Sequence, residues 1–207
     1  MSLMRNRSHP ARTYSPLKQL CGDLPEPLAE HLTYLELNQM DKIHPSEIVE
    51  MVMARERGGT ALSNVNQYIC WSNRLSHIVA SEVVSCHKID DRVEMLEFFM
   101  DAALACCRLG NFNSCVALTA GLSLPVIQRL TKTWLKIEDT KFRVLQHICN
   151  PLSNFSNYRV ILKMFENDNQ TPVLVPMFSV FLKDCYFRLK PCVDTVGSDT
   201  DRQLQVI

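Results

Sequence analysis

A chain of 207 residues with 46% hydrophobic and 21% charged side chains can bury a core of its own, which excludes a mini-protein and a disordered chain. Its 22 basic and 22 acidic residues cancel, so no overall field recruits nucleic acid or an anionic membrane. Only 6 glycines are present, too few for an architecture of many tight turns, and the composition favours helices.

Residues 1–24 are polar, basic and aperiodic, with Arg5, Arg7, Arg12 and Lys18 ahead of the first acid, Asp23. The segment reads as a flexible tail, and without an apolar run it is not expected to be a signal peptide. From Pro25 the chain becomes periodic. Leu28, Leu32 and Leu35 share one helical face after a Pro-Glu-Pro start. Pro45 suits the first turn of a second helix, where its missing N–H has no intrahelical partner anyway, and Ile48, Met51 and Val52 line its inner face up to Gly58 and Gly59. A longer helix follows, with Val65, Ile69, Leu75, Ile78, Val79 and Val83 recurring up to Cys86. Asp90 and Asp91 place negative charge at the start of the next helix, whose apolar stripe is Val93, Leu96, Met100, Ala103, Leu104 and Cys107, with Gly110 as its stop.

Short helices are expected at 113–120 and 140–149, the second with Phe142, Leu145 and Cys149 on one face. Either Ser153 or Asn154 can cap a helix carrying Tyr158, Ile161 and Phe165, and residues 167–170 form a polar break. The apolar run from Val173 to Phe187 reads as a buried segment that turns into one more helix. Residues 188–207, with Pro191 and Gly197 among scattered charges, show no face to bury and are expected to be a divergent, disordered tail. The 9 cysteines contain no C-x-x-C pair, so they read as reduced, mostly buried small hydrophobes rather than zinc ligands. No stretch is apolar for the roughly 18 residues a membrane span requires. The location expected is cytoplasmic.

The motifs of covalent catalysis are missing: there is no phosphate-binding glycine loop, no G-x-S-x-G elbow, no H-E-x-x-H and no calcium loop. Cys86 and His87 are neighbours in sequence, but adjacent helix positions point about 100° apart and do not make a nucleophile–base pair. What carries information is an ordered series of strings: Leu32-Thr33-Tyr34-Leu35-Glu36, Ile43-His44-Pro45-Ser46-Glu47, Asn111-Phe112-Asn113, Gly121-Leu122, Arg129-Leu130, Thr133-Trp134, Asn157-Tyr158-Arg159, and Pro176 ahead of Leu182-Lys183-Asp184. In that order they resemble the catalytic domain of guanine-nucleotide exchange factors for Ras-family GTPases, the RasGEF domain, over about residues 28–187. Leu182-Lys183-Asp184 with Phe187 is more similar to the Rap-directed branch than to the Ras-only branch.

The resemblance implies an all-α, irregular helical bowl occupying residues 25–187, which grips the switch regions of a Ras or Rap GTPase and pries open its nucleotide site with a helical hairpin. No cofactor, metal or nucleic acid is implied, and membranes are reached through the GTPase rather than by insertion. Position by position, it assigns the exchange step to Met177 and Phe178, at the start of the first hairpin helix, and to Tyr186, where the family directs an aliphatic or small side chain at the magnesium site. It places Asn154 and Phe155 on a neighbouring helix that meets the switch region, and Val116, Ser123 and Gln128 on the floor of the bowl. Phe155 and Val116 equally suit the core, as large apolar residues usually do. Asn111, Asn113, Arg129 and Leu130 are expected to serve the architecture. After Phe187 the resemblance is expected to stop, with a truncated hairpin and with Lys190 where the family usually carries an acid. Two functions stay open on this reading: nucleotide exchange, or a non-catalytic fragment that binds a GTPase or scaffold without opening it.

Overall fold

The computed structural model describes residues 22–57, 63–167 and 173–204, so the basic segment before residue 22, Gly58 and Gly59, and positions 168–170 of the expected polar break lie outside the described residues. Ten helices are described: α1 Pro25–Met40, α2 Pro45–Arg57, α3 Asn64–Ser85, α4 Ile89–Arg108, α5 Phe112–Leu122, α6 Pro125–Gln128, α7 Thr131–Trp134, α8 Thr140–Ile148, α9 Leu152–Asn167 and α10 Phe178–Leu204. The only extended pairing among the described residues is an isolated parallel bridge between Asn111 and Val175. The architecture is the all-α one expected.

The helix starts follow local chemistry. Pro25 and Pro45 open α1 and α2, and Ser63 caps α3 by accepting from the Asn66 N–H at 3.2 Å. Asn111 caps α5 by accepting from the Ser114 N–H at 3.0 Å, the architectural role expected of it. Glu47, in the first turn of α2, accepts from the His44 N–H at 3.1 Å and from the Asn64 N–H at 2.7 Å, so one carboxylate ties the starts of two helices together. The Asn64 side chain adds a further bond at 2.9 Å, and these donors, Asn64 first, hold the Glu47 carboxyl below its ordinary range.

The core is built around α4. The sequence pattern predicts a single stripe on it, but Met95, Leu96, Phe98, Phe99, Met100, Ala102, Ala103, Ala105 and Cys106 are all buried, because α1, α3, α5, α7 and α8 surround the helix. Burial of each large aliphatic or aromatic side chain there contributes about 1.5–3 kcal/mol. Helices α3 and α5 approach closely. A Cβ at Gly121 would stand 2.6 Å from the Ser76 carbonyl oxygen and 2.8 Å from Val79 Cβ, so glycine is what lets the two backbones meet. Ser76 Oγ seals the contact by donating to the Ala117 carbonyl at 2.8 Å.

On α1 the buried face is Leu28, Ala29, Leu32, Thr33 and Glu36, while Leu35, expected inside, is 41% exposed. The stripe thus advances by four residues per turn from Leu32 to Glu36. The buried polar pair Thr33 and Glu36 is explained by partners on α5, described below. Of the inner face expected for α2, Ile48 and Met51 pack against Val65, Tyr68, Phe178 and Leu182, and the Val52 side chain lies outside what is described.

Two segments depart from the sequence expectation. Within α9, Ser153, Asn154 and Phe155 have φ of 51°, 56° and 58°, so neither Ser153 nor Asn154 is an ordinary extended helix cap; the three form a left-handed turn ahead of the right-handed helix. Left-handed backbone costs a non-glycine residue about 1–2 kcal/mol. The second departure is α10, which continues through residues 188–204, where a disordered tail is expected. Pro191 cannot donate the helical bond to the carbonyl four residues back, a local penalty of about 3 kcal/mol. Against that stand good helix formers in Arg188, Leu189 and Lys190, a Lys190–Tyr186 contact one turn apart, and packing of the helix on α2. The apolar face of this helix is partly covered, since Val180 is buried against Phe112, Ile148 and Tyr158, whereas Phe181 stays 38% exposed.

Candidate functional site

A buried polar cluster fixes the geometry of the site. The Glu36 carboxylate is fully buried and accepts from Asn113 Nδ2 at 3.1 and 3.2 Å and from Ser114 Oγ at 2.8 Å. Asn113 Nδ2 also reaches Ser72 Oγ at 2.9 Å, and Asn111 Nδ2 donates to Thr33 Oγ1 at 3.0 Å. The remaining atom of the Asn113 amide, Oδ1, accepts from the Phe178 N–H at 3.2 Å, the first residue of α10. Asn113 therefore joins α1, α3 and α5 to the start of the helix expected to do the prying. Burial, reinforced by the charge of Glu36, pushes the Tyr68 phenol far above its ordinary range. Its hydroxyl lies beside that carboxylate without meeting hydrogen-bond geometry.

One residue earlier, the Met177 N–H donates to Tyr158 Oη at 2.9 Å, and burial raises that phenol to about 12. The strand-like segment before it is held by the Phe112 N–H to the Val175 carbonyl and the Val175 N–H to the Gly110 carbonyl, both 2.9 Å. Gly110 has φ +76°, and a Cβ there would collide with the Val173 carbonyl, so its role is close backbone approach as well as helix termination. Residues 173–178 are thus clamped from both sides before α10 leaves the body of the protein.

Between α2, α3, α5 and α10 lies an open cavity of about 870 Å³. Its α3 wall is polar, with Ser72, Asn73 and Ser76; its α5 floor is small and apolar, with Val116, Ala117 and Ala120. Helix α10 contributes Phe178, Leu182, Lys183, Tyr186 and Phe187, and Glu47, Glu50 and Met51 close the far side. Acidic α2 thus faces Lys183 across an apolar floor. Phe187 projects into this space 62% exposed, as an anchor for a partner would. No histidine or cysteine lines the cavity, and no group of three or more His, Cys, Asp or Glu able to hold a metal occurs among the described residues.

The expected site residues fall into three sets. Val116, Phe178 and Tyr186 line this cavity together. Phe178 does so from beneath, only 3% exposed and edge-on to Tyr68 at 4.5 Å, and Met177 is fully buried under Tyr158, so Met177 holds the helix start from within. Tyr186 packs edge-on to Phe187, and Lys190 Nζ stands 3.4 Å from its hydroxyl and 5.6 Å from its ring centroid. Val116 also borders a smaller groove of about 380 Å³ with Ser123, Gln146 and Cys149. Gln128 borders neither space; its Nε2 donates to the Leu122 carbonyl at 2.9 Å. Arg129 is exposed, and Leu130 packs against the main core.

Asn154 and Phe155 are the second and third residues of the left-handed turn. Phe155 packs into the cluster of Phe112, Tyr158 and Met177, and Asn154 is tied to α10. Its Oδ1 accepts from Lys183 Nζ at 2.9 Å and its carbonyl from Arg159 Nε at 2.8 Å, while Arg159 grips Asp184 through two bonds of 2.8 Å each. The Arg159 guanidinium holds the Asp184 carboxyl below the usual carboxylate range, and Asp184 raises Arg159 in return. This Lys183–Asn154–Arg159–Asp184 chain braces the strained turn against α10. Sequence reasoning missed it because the turn has no glycine to announce it. It also missed the α3 wall, whose signal was available: Ser72, Asn73 and Ser76, at i, i+1 and i+4, fall on one face of the helix.

The fold is an all-α helical module in which a clamped helix overhangs an apolar-floored cavity. The RasGEF domain family model matches residues 27–203, and the chain belongs to that family. The match extends past Phe187 to residue 203, so the resemblance does not stop where the sequence reading placed its end. The chain is 34% identical over 198 residues to the Mus musculus protein described as Ras-GEF domain-containing family member 1C, covering 89% of this chain and 42% of that protein. It is 34% identical over 205 residues to Mus musculus family member 1B, covering 91% and 43%, and 35% identical over 192 residues to Homo sapiens family member 1B, covering 84% and 40%. The chain spans about two-fifths of the length of these relatives. No helix among the described residues is long and apolar enough to cross a membrane.

Proposed function

We propose that this chain is a guanine-nucleotide exchange factor for a Ras-superfamily small GTPase of the Ras or Rap type, promoting GDP release so that GTP can bind. The observation that carries the reading is the clamped start of α10: Met177 and Phe178 are locked by Tyr158 and Asn113 at the edge of a cavity that α10 then overhangs with Leu182, Tyr186 and Phe187. A rigid helix root lets binding energy gained along the helix be spent on displacing the partner's nucleotide-site loops rather than on bending the exchange factor.

Exchange of this kind needs no covalent step. The factor binds the nucleotide-free GTPase better than the loaded one, and that differential affinity is what speeds nucleotide release. In this reading Val116 and the small residues beside it receive the switch region, Ser123 borders its path, Gln128 supports the floor through its bond to the Leu122 carbonyl, Asn154 and Phe155 present the braced turn, and Tyr186 faces the nucleotide site. The second reading, binding without exchange, is favoured by one observation. Lys190 stands over Tyr186, a cation where the resemblance expects an acid, and a cation there attracts phosphate instead of competing with it.

The test is release of a fluorescent guanine nucleotide from Ras, Rap and Ral proteins. Acceleration by at least tenfold at micromolar protein supports exchange. Binding to a nucleotide-free GTPase with no acceleration establishes the second reading, and neither binding nor acceleration refutes both.

A further inference from the structure

Two consecutive residues of α9 hold two separate points of α10. At the root, the Met177 N–H donates to Tyr158 Oη at 2.9 Å, and the next N–H, that of Phe178, goes to Asn113 Oδ1 at 3.2 Å. Further along, at Asp184, the Arg159 guanidinium donates to both carboxylate oxygens at 2.8 Å each. Its Nε reaches the Asn154 carbonyl at 2.8 Å, and Lys183 Nζ closes the circuit on Asn154 Oδ1 at 2.9 Å.

The second point lies where burial of the helix ends. Val180 packs under Phe112 and Tyr158, and Leu182 joins Tyr68 and Phe178 in the cluster that Ile48 and Met51 cover. Leu182 is the last buried side chain among the described residues of α10. Apolar packing of this kind has no preferred direction, whereas two parallel bonds from a guanidinium to a carboxylate fix one. Asn154, Arg159 and Asp184 line neither cavity, while Tyr186 and Phe187, which follow Asp184 closely, line the large one.

We infer that the Arg159–Asp184 pair is the strut that sets the direction of α10 over the cavity, and that both are positioning residues for nucleotide release. The strut rests on the geometry alone; its effect on release rests on the exchange reading. At 1.5 Å per residue, Asp184 stands about 9 Å and Phe187 about 14 Å from the start of the helix. Held only at its root, the helix would carry Phe187 sideways by about 2 Å for a tilt of about 10°. A misplacement of about 1 Å can cost about a hundredfold in rate. Arg159 uses three donors of one plane at once, which the ammonium of a lysine does not reproduce, so the strut depends on the fork and not on charge alone. The two side chains are 30% and 37% exposed, and an ion pair so open to water adds little to global stability. Direction and stability can therefore be separated by experiment.

Nucleotide release from Ras and Rap is measured over a range of GTPase concentrations with the wild-type chain, Arg159→Lys, Asp184→Asn and the double variant. Each single variant should lower kcat at least tenfold with KM within threefold of wild type, and the double variant should be no worse than the singles, because the two residues act as one unit. An unchanged kcat in the singles overturns the role in release, and so does a raised KM with kcat kept, which would place the pair against the partner. If Arg159→Lys fails to fold, Asp184→Asn decides; if neither folds, the pair is a stability element and the inference falls. The strut itself is read without a GTPase, by hydrogen–deuterium exchange of the full chain. A helix released from its packing opens more often, so amides of residues 183–188 should exchange at least tenfold faster in both singles, with Met177 and Phe178 unchanged. Equal exchange in wild type and variants overturns the strut. A wild-type chain that accelerates release from no GTPase defeats the exchange reading and the role in release, while amide exchange still decides the strut.

Discussion

Replacing Asn113 by alanine removes the one side chain that bonds both the buried Glu36 carboxylate and the first N–H of α10. A buried backbone N–H left unpaired costs about 1–3 kcal/mol, and a bond to a charged acceptor is worth about 1.5–3 kcal/mol. The loss is therefore about 2.5–6 kcal/mol, a large part of the about 5–15 kcal/mol by which domains are stable. With about 2–4 °C per kcal/mol for a chain of this size, the melting temperature should drop by roughly 5–24 °C. Differential scanning calorimetry reads this directly, with Ser72→Ala as a control that removes one peripheral partner and costs about 1 kcal/mol. An Asn113→Ala melting temperature within 2 °C of wild type would refute the claim that this amide holds the root of α10. A double-mutant cycle with Glu36→Gln should show a coupling of at least about 1 kcal/mol, since the two groups are in direct contact.

Other outcomes follow from the same packing. Gly121→Ala places a methyl against the Ser76 carbonyl and Val79, and urea unfolding should show a net loss of about 1–3 kcal/mol despite alanine's better helix propensity; a stabilised variant would contradict the close approach of α3 and α5. Phe187→Ala should leave the urea midpoint nearly unchanged, because the ring is exposed, while lowering GTPase affinity about tenfold or more. Equal losses of stability and affinity would place Phe187 in the core instead. The folded Asp184 carboxyl is held below its ordinary value, so its contribution is present above about pH 4 and is lost as pH falls further toward its folded value. Asp184→Asn should remove that part of the acid-side decline in stability. Because the pair is partly exposed, the effect at neutral pH should be about 1 kcal/mol or less.

Much of the fold was legible from local chemistry. Pro45 in the first turn of α2, Asn111 as a cap and the apolar spacing from Val65 to Val83 each act over a few residues, and the structure keeps them. What was not legible depends on distant partners. Glu36 is inside and Leu35 outside because Asn113 and Ser114, 77 and 78 residues away, supply donors for a carboxylate that periodicity alone would turn to water. The α4 stripe widened because five helices enclose it, which no pattern within α4 encodes. The left-handed turn at Ser153–Phe155 is stabilised from α10 through Lys183 and by Arg159, not by its own residue types. Of the residues that the resemblance assigned to the site, Val116, Phe178 and Tyr186 line the cavity, whereas the burial of Met177 and the Asn113 anchor depend on the packing of α10 on the body.

The central claim is that this chain opens the nucleotide site of a Ras-type GTPase through the cavity beneath α10. Its most direct test is nucleotide release from Ras and Rap measured with wild type and Phe187→Ala side by side. The account predicts at least tenfold acceleration by the wild-type chain and a loss of most of it in the folded variant; a wild-type chain that leaves the intrinsic release rate of Ras, Rap and Ral unchanged would contradict it.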